Sequence, residues 1–135
     1  MIKKIEHLGI AVQDIEASNA LFEKLLNTSP YKNEVVEREG VLTSFFQVGE
    51  SKIELLQAIH EDSPIAKYLE KNKQGIHHIA FDVDDIYAEM SRLEKEGFVL
   101  LSPEPKPGAD GKMIVFLHPK STNGVLIELC QDAQR

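Results

Sequence analysis

Two histidines and two glutamates stand out in this chain because their side chains bind divalent metals and because they occur as matched pairs. His7 and His78 each open a similar stretch of sequence, and Glu54 and Glu128 each lie at the centre of an Ile-Glu-Leu triplet. Imidazole nitrogens and carboxylate oxygens together form a ligand set for Zn, Co, Ni, Mn or Fe. A lone histidine or glutamate in a strand is usually structural, but four such residues at equivalent places in two copies indicate one shared metal site.

The stretches that begin at the two histidines are copies of one pattern. In residues 7–17 and 78–88, the residue types His, Val, Asp, Ile and Ala recur at the same offsets. Each stretch begins with alternating apolar residues, which predicts a strand, and continues with apolar residues at helical spacing. Asp14 and Asp85 lie where each helix should begin and are predicted to cap its N-terminus. The chain is therefore predicted to be a tandem repeat.

The alternation of side chains along a strand predicts which way the histidines face. His7 shares a strand face with Gly9 and Ala11, and the apolar residues between them should pack under a helix. The same register selects His78 as the second histidine, because His77 falls on the helix-covered face of its repeat. A face of small residues leaves space, so the histidines should project into an open surface.

The order of these elements predicts an α+β fold made of two tandem βαβββ modules. We expect the modules to form a cupped mixed β-sheet around one metal site, with the helices on the outside. The predicted boundaries are 1–62 for the first module and 76–135 for the second, joined by a helical linker at 63–75 within one structural domain. The modules could pair within one chain or across a dimer. Residues 102–111 hold three prolines and two glycines and are predicted to form a surface loop.

Composition and charge exclude several classes of protein. A hydrophobic fraction of 42% with 27% charged residues is typical of a globular domain. No apolar run approaches the ~20 residues needed to span a membrane, so no membrane partner is expected. The net charge of −7 argues against nucleic acid, whose phosphates need a basic face. The single cysteine, Cys130, excludes an intramolecular disulfide and favours a reducing compartment, which predicts a cytoplasmic protein.

The duplicated histidine and Ile-Glu-Leu motifs resemble those of the vicinal oxygen chelate superfamily, which includes glyoxalase I and the extradiol dioxygenases. Within it, residues 62–80, 116–121 and 124–129 resemble the methylmalonyl-CoA epimerase family. The resemblance implies an isomerase that interconverts the (R) and (S) epimers of methylmalonyl-CoA, by metal-assisted proton abstraction at C2 through an enolate. It also implies an acyl-CoA substrate, a homodimer, and one divalent metal, with Co²⁺ or Mn²⁺ preferred over Ni²⁺ or Zn²⁺.

Residue roles follow from the same resemblance. The implied metal ligands are His7, Glu54, His78 and Glu128. Glu128 should act as one acid or base at C2, with the opposite face served by Glu54 or by a water on the metal. Lys120 and Ser121, in the loop before the last strand, should either hold the free carboxylate of the substrate or form a polar turn. Some members carry a second glutamate base after a Gly-Val pair, but this chain has Thr43 there, which cannot act as a base.

Three other functions fit part of the pattern. A glyoxalase I-type lyase or isomerase would use the same four ligands on a different thiol adduct. An extradiol dioxygenase needs two histidines and one carboxylate, with further acid and base residues that we do not find in the sequence. A non-catalytic small-molecule-binding module of the same fold typically lacks the ligand set that this chain retains.

Overall fold

Residues 1–133, which the computed structural model describes, contain eight β-strands and three α-helices. They form two compact units. We call His7–His77 the first module, and Met1–Glu6 with the residues from His78 onwards the second module. Each module repeats the order strand, helix and three strands, so the predicted α+β class and the two βαβββ modules are confirmed. The boundaries at residues 62 and 76 stay a prediction.

The first module has the strand order β2-β3-β4-β1. Its elements are β1 (Ile2–Ala11, from His7 onwards), α1 (Ile15–Leu26), β2 (Lys32–Val36), β3 (Val41–Val48), β4 (Ser51–Ala58) and α2 (Pro64–Lys71). β1 runs parallel to β4, whereas β2, β3 and β4 are joined in antiparallel pairs. The first and last strands of the module therefore lie side by side, which brings the histidine and the glutamate motifs of this half together in space.

The second module repeats this arrangement with the strand order β5-β8-β7-β6. Its elements are β5 (Gly75–Val83, from His78 onwards), α3 (Ile86–Lys95), β6 (Lys106–Pro107), β7 (Lys112–Leu117) and β8 (Ile127–Asp132). β5 runs parallel to β8, and β7 pairs antiparallel with both β8 and β6. Here too the first and last long strands are neighbours.

The helix that follows the first strand of each module begins at the aspartate that the sequence predicts. One carboxylate oxygen of Asp14 accepts hydrogen bonds from the backbone N–H groups of Glu16 and Ala17, at 3.1 and 3.2 Å. Asp85 accepts in the same way from the N–H of Ala88 at 3.1 Å. The first N–H groups of a helix have no partner within it, so both predicted caps are confirmed.

Each module packs its helix against one face of its strands. In the first module, this core consists of buried apolar residues from the strands and α1: Val12, Ile15, Phe46 and Leu55. In the second module, the equivalent core is larger: Val83, Ile86, Met90, Leu93, Val115, Leu117 and Leu129. The core residues that come from the strands lie on the face that the alternating pattern places under the helices, so the opposite strand face is left for other side chains.

Two segments lie outside the repeated core. Helix α2 begins at Pro64, and the Ser63 hydroxyl caps it by accepting from the N–H of Ala66 at 3.1 Å. The predicted loop at 102–111 is wrong in part, because Lys106–Pro107 form the short strand β6 against β7. A proline can occupy such an edge strand because its missing N–H faces away from the ladder. Within residues 1–133, no helix is long and apolar enough to cross a membrane.

Candidate metal and active site

The first module brings His7 and Glu54 into contact. In the parallel ladder, Gly9 of β1 lies opposite Glu54 of β4, so both residues of the pair project from the same face. The Nδ1 atom of His7 is 3.1 Å from Oε2 of Glu54. Both residues are only 4% exposed. His7 and Glu54 are far apart in the sequence but form a buried imidazole–carboxylate pair in the structure.

The second module builds the same pair from His78 and Glu128. Ala80 of β5 lies opposite Glu128 of β8, as Gly9 lies opposite its glutamate in the first module. The Nε2 atom of His78 is 3.0 Å from Oε1 of Glu128, and both residues are buried. The ring of Phe116 stands edge-on to the His78 ring, with 5.8 Å between centroids. This contact limits the rotation of the imidazole and keeps it directed at the carboxylate.

The geometry of each pair suits chelation. Two ligand atoms that bind one metal at 2.0–2.2 Å in adjacent positions lie about 3 Å apart, which is the separation in both pairs. A buried carboxylate is costly unless a cation or several hydrogen bonds compensate its charge. His7, His78 and Glu128 are among the residues whose nitrogen and oxygen atoms could hold a metal ion. The residues present therefore fit a divalent metal, and their role as ligands stays a prediction.

The repeat also duplicates a glutamine, which was not among the residues predicted from the sequence. Gln57 follows Glu54 by three positions, and Gln131 follows Glu128 by three positions. The side-chain oxygen of Gln57 accepts from the N–H of Ile15 at 2.8 Å, and that of Gln131 accepts from the N–H of Ile86 at 2.7 Å. Each glutamine thus joins the strand that carries the glutamate to the first turn of its module's helix. The recurrence of Gln at this offset was a signal that the repeat comparison contained.

The three remaining histidines have other contacts. His77 packs its ring edge-on against Tyr68 of α2, with 5.0 Å between centroids. His60 is exposed and lies 3.5 Å from a carboxylate oxygen of Glu37. The Nδ1 atom of His118 accepts a hydrogen bond from the backbone N–H of Lys120, at 3.0 Å. These contacts agree with the choice of His78 over its neighbour.

Lys120 and Ser121 lie in the turn between β7 and β8. The Ser121 hydroxyl donates to the carbonyl oxygen of His118 at 2.9 Å and accepts from the N–H of Val99 at 3.3 Å. Lys120 is exposed. These hydrogen bonds favour the polar-turn interpretation of the pair, and a carboxylate-binding role for it stays a prediction.

Thr43 lies on β3, on the same face as Phe45 and Glu54. It is completely buried, and its hydroxyl oxygen has no hydrogen-bond partner among residues 1–133. The next residue, Ser44, points to the other face and donates to the side-chain oxygen of Asn19 on α1 at 2.6 Å. A threonine hydroxyl has no basic character near neutral pH, so this position supplies no second base to the site.

Cys130 lies on the same strand face as Glu128, two residues further along β8. The thiol is fully buried and lies 3.5 Å from the carbonyl oxygen of Phe81. Burial raises the pKa of the Cys130 thiol far above its usual range, and the negative charge of Glu128 raises it further. A thiol in this state is a neutral, apolar filler beside the second-module pair.

Comparison with known proteins identifies the family. Residues 6–116 match the model of the glyoxalase/bleomycin resistance protein/dioxygenase superfamily, and the chain belongs to that superfamily. It is similar along nearly its whole length to proteins named as epimerases. The ethylmalonyl-CoA/methylmalonyl-CoA epimerase of Cereibacter sphaeroides is 46% identical over 133 residues, which cover 97% of this chain and 99% of the relative. The human mitochondrial methylmalonyl-CoA epimerase is 42% identical over 129 residues, 95% of this chain and 73% of the relative.

A solved structure agrees with these sequence matches. A variant of the methylmalonyl-CoA epimerase of Streptomyces coelicolor, in complex with 2-nitronate-propionyl-CoA, is 35% identical with a TM-score of 0.94. The match covers 98% of this chain and 96% of that protein. The resemblance inferred from the two duplicated motifs is therefore confirmed in both sequence and fold.

Proposed function

We propose that this protein is an isomerase that interconverts the (R) and (S) epimers of methylmalonyl-CoA. The observation that carries the proposal is the repeated, buried imidazole–carboxylate pair, found in a chain that is similar over nearly its whole length to proteins named as methylmalonyl-CoA epimerases. An epimerisation at C2 needs a group that removes the C2 proton and a group that returns one to the other side. Two carboxylates from two copies of one motif meet that requirement.

We propose that His7, Glu54, His78 and Glu128 hold one divalent metal. The resemblance implies Co²⁺ or Mn²⁺ as the first choice, and Ni²⁺ or Zn²⁺ is the alternative, since mixed nitrogen and oxygen ligands suit all four ions. When bound, the ion supplies Lewis-acid stabilisation of the negative charge that develops on the substrate oxygens. The within-module separations of 3.1 and 3.0 Å support this assignment.

Proton transfer then falls to the two glutamates. The C2 proton of a malonyl thioester lies between a thioester carbonyl and a carboxylate, and its removal gives an enolate whose charge develops on the thioester oxygen. A carboxylate can serve as the base where that charge is stabilised. We assign Glu128 as one acid and base, and Glu54 as the candidate for the opposite face of the planar intermediate. Thr43 cannot serve as the second base.

The assay that tests this proposal follows both stereochemistry and isotope. Purified protein should epimerise (R)- or (S)-methylmalonyl-CoA and exchange deuterium from solvent into C2. His7→Ala and His78→Ala should each lower the bound metal and the turnover together. His60→Ala, which removes an exposed histidine, is the matched control and should change neither. Glu128→Gln should lose deuterium exchange while it keeps its fold, and exchange at the wild-type rate would refute the role of Glu128.

A glyoxalase I-type reaction is the second candidate, because the family model that matches the chain also covers glyoxalases. The two reactions are separated by assaying the same metal-loaded preparation on methylmalonyl-CoA and on the hemithioacetal of glutathione and methylglyoxal. Turnover of the hemithioacetal alone would refute the epimerase. A protein that purifies without metal and acts on neither compound would instead be a binding module.

We also propose a homodimer, as the resemblance implies, and a cytoplasmic location, which the single cysteine favours. Sedimentation equilibrium on the metal-loaded protein tests the oligomeric state, and a mass of one chain over the whole concentration range would contradict it. Nucleic acid is not expected as a partner, because the net charge of −7 repels polyanions. A membrane is not expected either, because no apolar run approaches the ~20 residues needed to span one.

A further inference from the structure

Lys52 is a buried lysine beside the first-module pair. It lies two residues before Glu54 on β4, and it stands opposite His7 in the parallel ladder. All three side chains therefore project from the same strand face. Lys52 is only 6% exposed, and a lysine is almost never buried this far unless its charge has a purpose or a partner.

Lys32 lies near the same aromatic ring as Lys52, and comparison of the two shows how unusual the burial of Lys52 is. The ring of Phe45, which is fully buried, has the Nζ atom of Lys52 at 5.9 Å and that of Lys32 at 5.2 Å from its centroid. Lys32 is paired with Glu34 at 3.3 Å, and its side chain is 39% exposed. Lys32 is thus a rim residue with a solvent-screened charge, whereas Lys52 carries its charge into the interior next to His7.

The cation has no counterpart in the other half of the chain. Glu54 and Glu128 are equivalent, as are Phe45 and Phe116, which pair with those glutamates across the ladder. The residue two positions before Glu128 is Leu126. The repeat therefore duplicates the ligand set but keeps one lysine on one side only, where an asymmetric ligand would require it.

We infer that Lys52 binds the free carboxylate of the substrate's malonyl group and selects 2-carboxyacyl thioesters over simple acyl thioesters. The inference rests on the proposed function. An ammonium group has three donors, so Lys52 can keep its contacts within the protein and still donate to a substrate oxygen. A charge-assisted hydrogen bond is strong where water is largely excluded. By comparison, Lys120 is exposed, and the Ser121 hydroxyl is already bonded on both sides.

The contact should act on binding more than on turnover. The carboxylate is present in the substrate, in the intermediate and in the product, so its anchor stabilises all of them to a similar degree. Loss of such uniform binding raises KM and leaves kcat nearly unchanged. A residue that acted only through the fold would instead lower kcat and the melting temperature together.

The test is a binding comparison on metal-loaded protein with malonyl-CoA and propionyl-CoA as probes. Malonyl-CoA carries a carboxylate where propionyl-CoA carries a methyl group. The ratio of their Kd values therefore measures recognition of the carboxylate. In Lys52→Met, the Kd for malonyl-CoA should rise about tenfold or more, while that for propionyl-CoA changes by less than about twofold. Lys32→Met is the matched control and should leave the ratio unchanged. Lys52→Gln serves if the methionine variant does not fold.

The outcomes separate this inference from the proposed function. An unchanged ratio in the Lys52 variants overturns the inference, and so does an equal loss for both probes. Failure of the wild-type protein to epimerise methylmalonyl-CoA overturns the proposed function instead. The binding ratio can still be read in that case, because it requires no turnover. In the active enzyme, Lys52→Met should also raise KM for methylmalonyl-CoA about tenfold at a nearly constant kcat.

Discussion

The hydrogen bond between Gln131 and the first turn of α3 should contribute measurably to stability. Its acceptor is a side-chain oxygen 2.7 Å from the N–H of Ile86, a residue that is 1% exposed. Methionine has a similar length and no comparable acceptor, so Gln131→Met removes the bond without opening a large cavity. A lost hydrogen bond that leaves a buried N–H unpaired costs about 1–2 kcal/mol. For a protein of this size, that corresponds to a drop of roughly 4–8 °C in Tm.

The assay is thermal and urea unfolding at a fixed metal concentration, because a ligand that binds only the folded state shifts Tm by itself. The matched control is Gln47→Met. The Gln47 amide donates to the carbonyl oxygens of Gly49 and Ser51 in an exposed hairpin, where water can replace it. Gln57→Met removes the equivalent bond of the first module and should cost a similar amount.

Two results would refute this reasoning. The first is a Gln131→Met variant no less stable than Gln47→Met, which would mean that the buried N–H finds another partner. The second concerns the double variant Gln57→Met/Gln131→Met. The two bonds share no partner, so their costs should add within about 0.5 kcal/mol, and a clear departure would show that the two bonds do not act separately. Metal content should stay unchanged in the single variants, because each glutamine oxygen is already engaged by a backbone N–H group of a helix terminus.

Three further predictions concern buried polar groups. Cys130 should not react with a thiol reagent at pH 8 until the protein is unfolded, because burial raises its pKa and keeps it protonated; labelling of the native protein would contradict this. Arg92 and the N-terminal amine hold the pKa of Glu89 below its usual value, so this carboxylate stabilises the fold above pH ~4.3, the unfolded value, and the benefit is lost as pH falls through the lower folded pKa. Urea unfolding between pH 3 and 7 should therefore show a weaker pH dependence in Glu89→Gln than in the wild type. Thr43→Val should keep full stability and epimerase activity, because the hydroxyl that it removes has no partner in the described part of the chain. A large loss of turnover would show a catalytic role for Thr43.

The sequence was sufficient for the features that depend on local periodicity. Alternation placed His7 and His78 on the strand face opposite the helices, and the aspartate at each strand end predicted the start of α1 and of α3. These features follow from the backbone of a strand and from the unpaired N–H groups of a helix terminus, so they need no knowledge of the rest of the chain. The pairing of each histidine with its own glutamate required the parallel ladder, which the sequence implies only through the repeat.

The features that were missed depend on contacts between distant residues. The short strand β6 lies in a proline-rich segment that reads as a loop, and only the neighbouring edge of β7 provides its hydrogen bonds. Gln57 and Gln131 have ordinary polar side chains, and only the helix terminus beside them makes their oxygens useful. Burial of Lys52 could not be read from the sequence either, because a lysine in an alternating strand is normally assigned to solvent.

The duplicated imidazole–carboxylate pairs and the single Lys52 suit two different ligands, a metal ion and an asymmetric substrate. The proposed metal ion is a spherical charge, so two copies of one motif could supply its ligands. Duplication provides His7 with Glu54 and His78 with Glu128 at nearly equal separations. A malonyl thioester carries a charged carboxylate on one side of C2 and a neutral thioester on the other. Groups that distinguish these two sides must differ between the modules. The position two residues before the glutamate differs in charge between the modules, because it is Lys52 in the first and Leu126 in the second. We expect the side chain at this position to distinguish the two sides of the substrate.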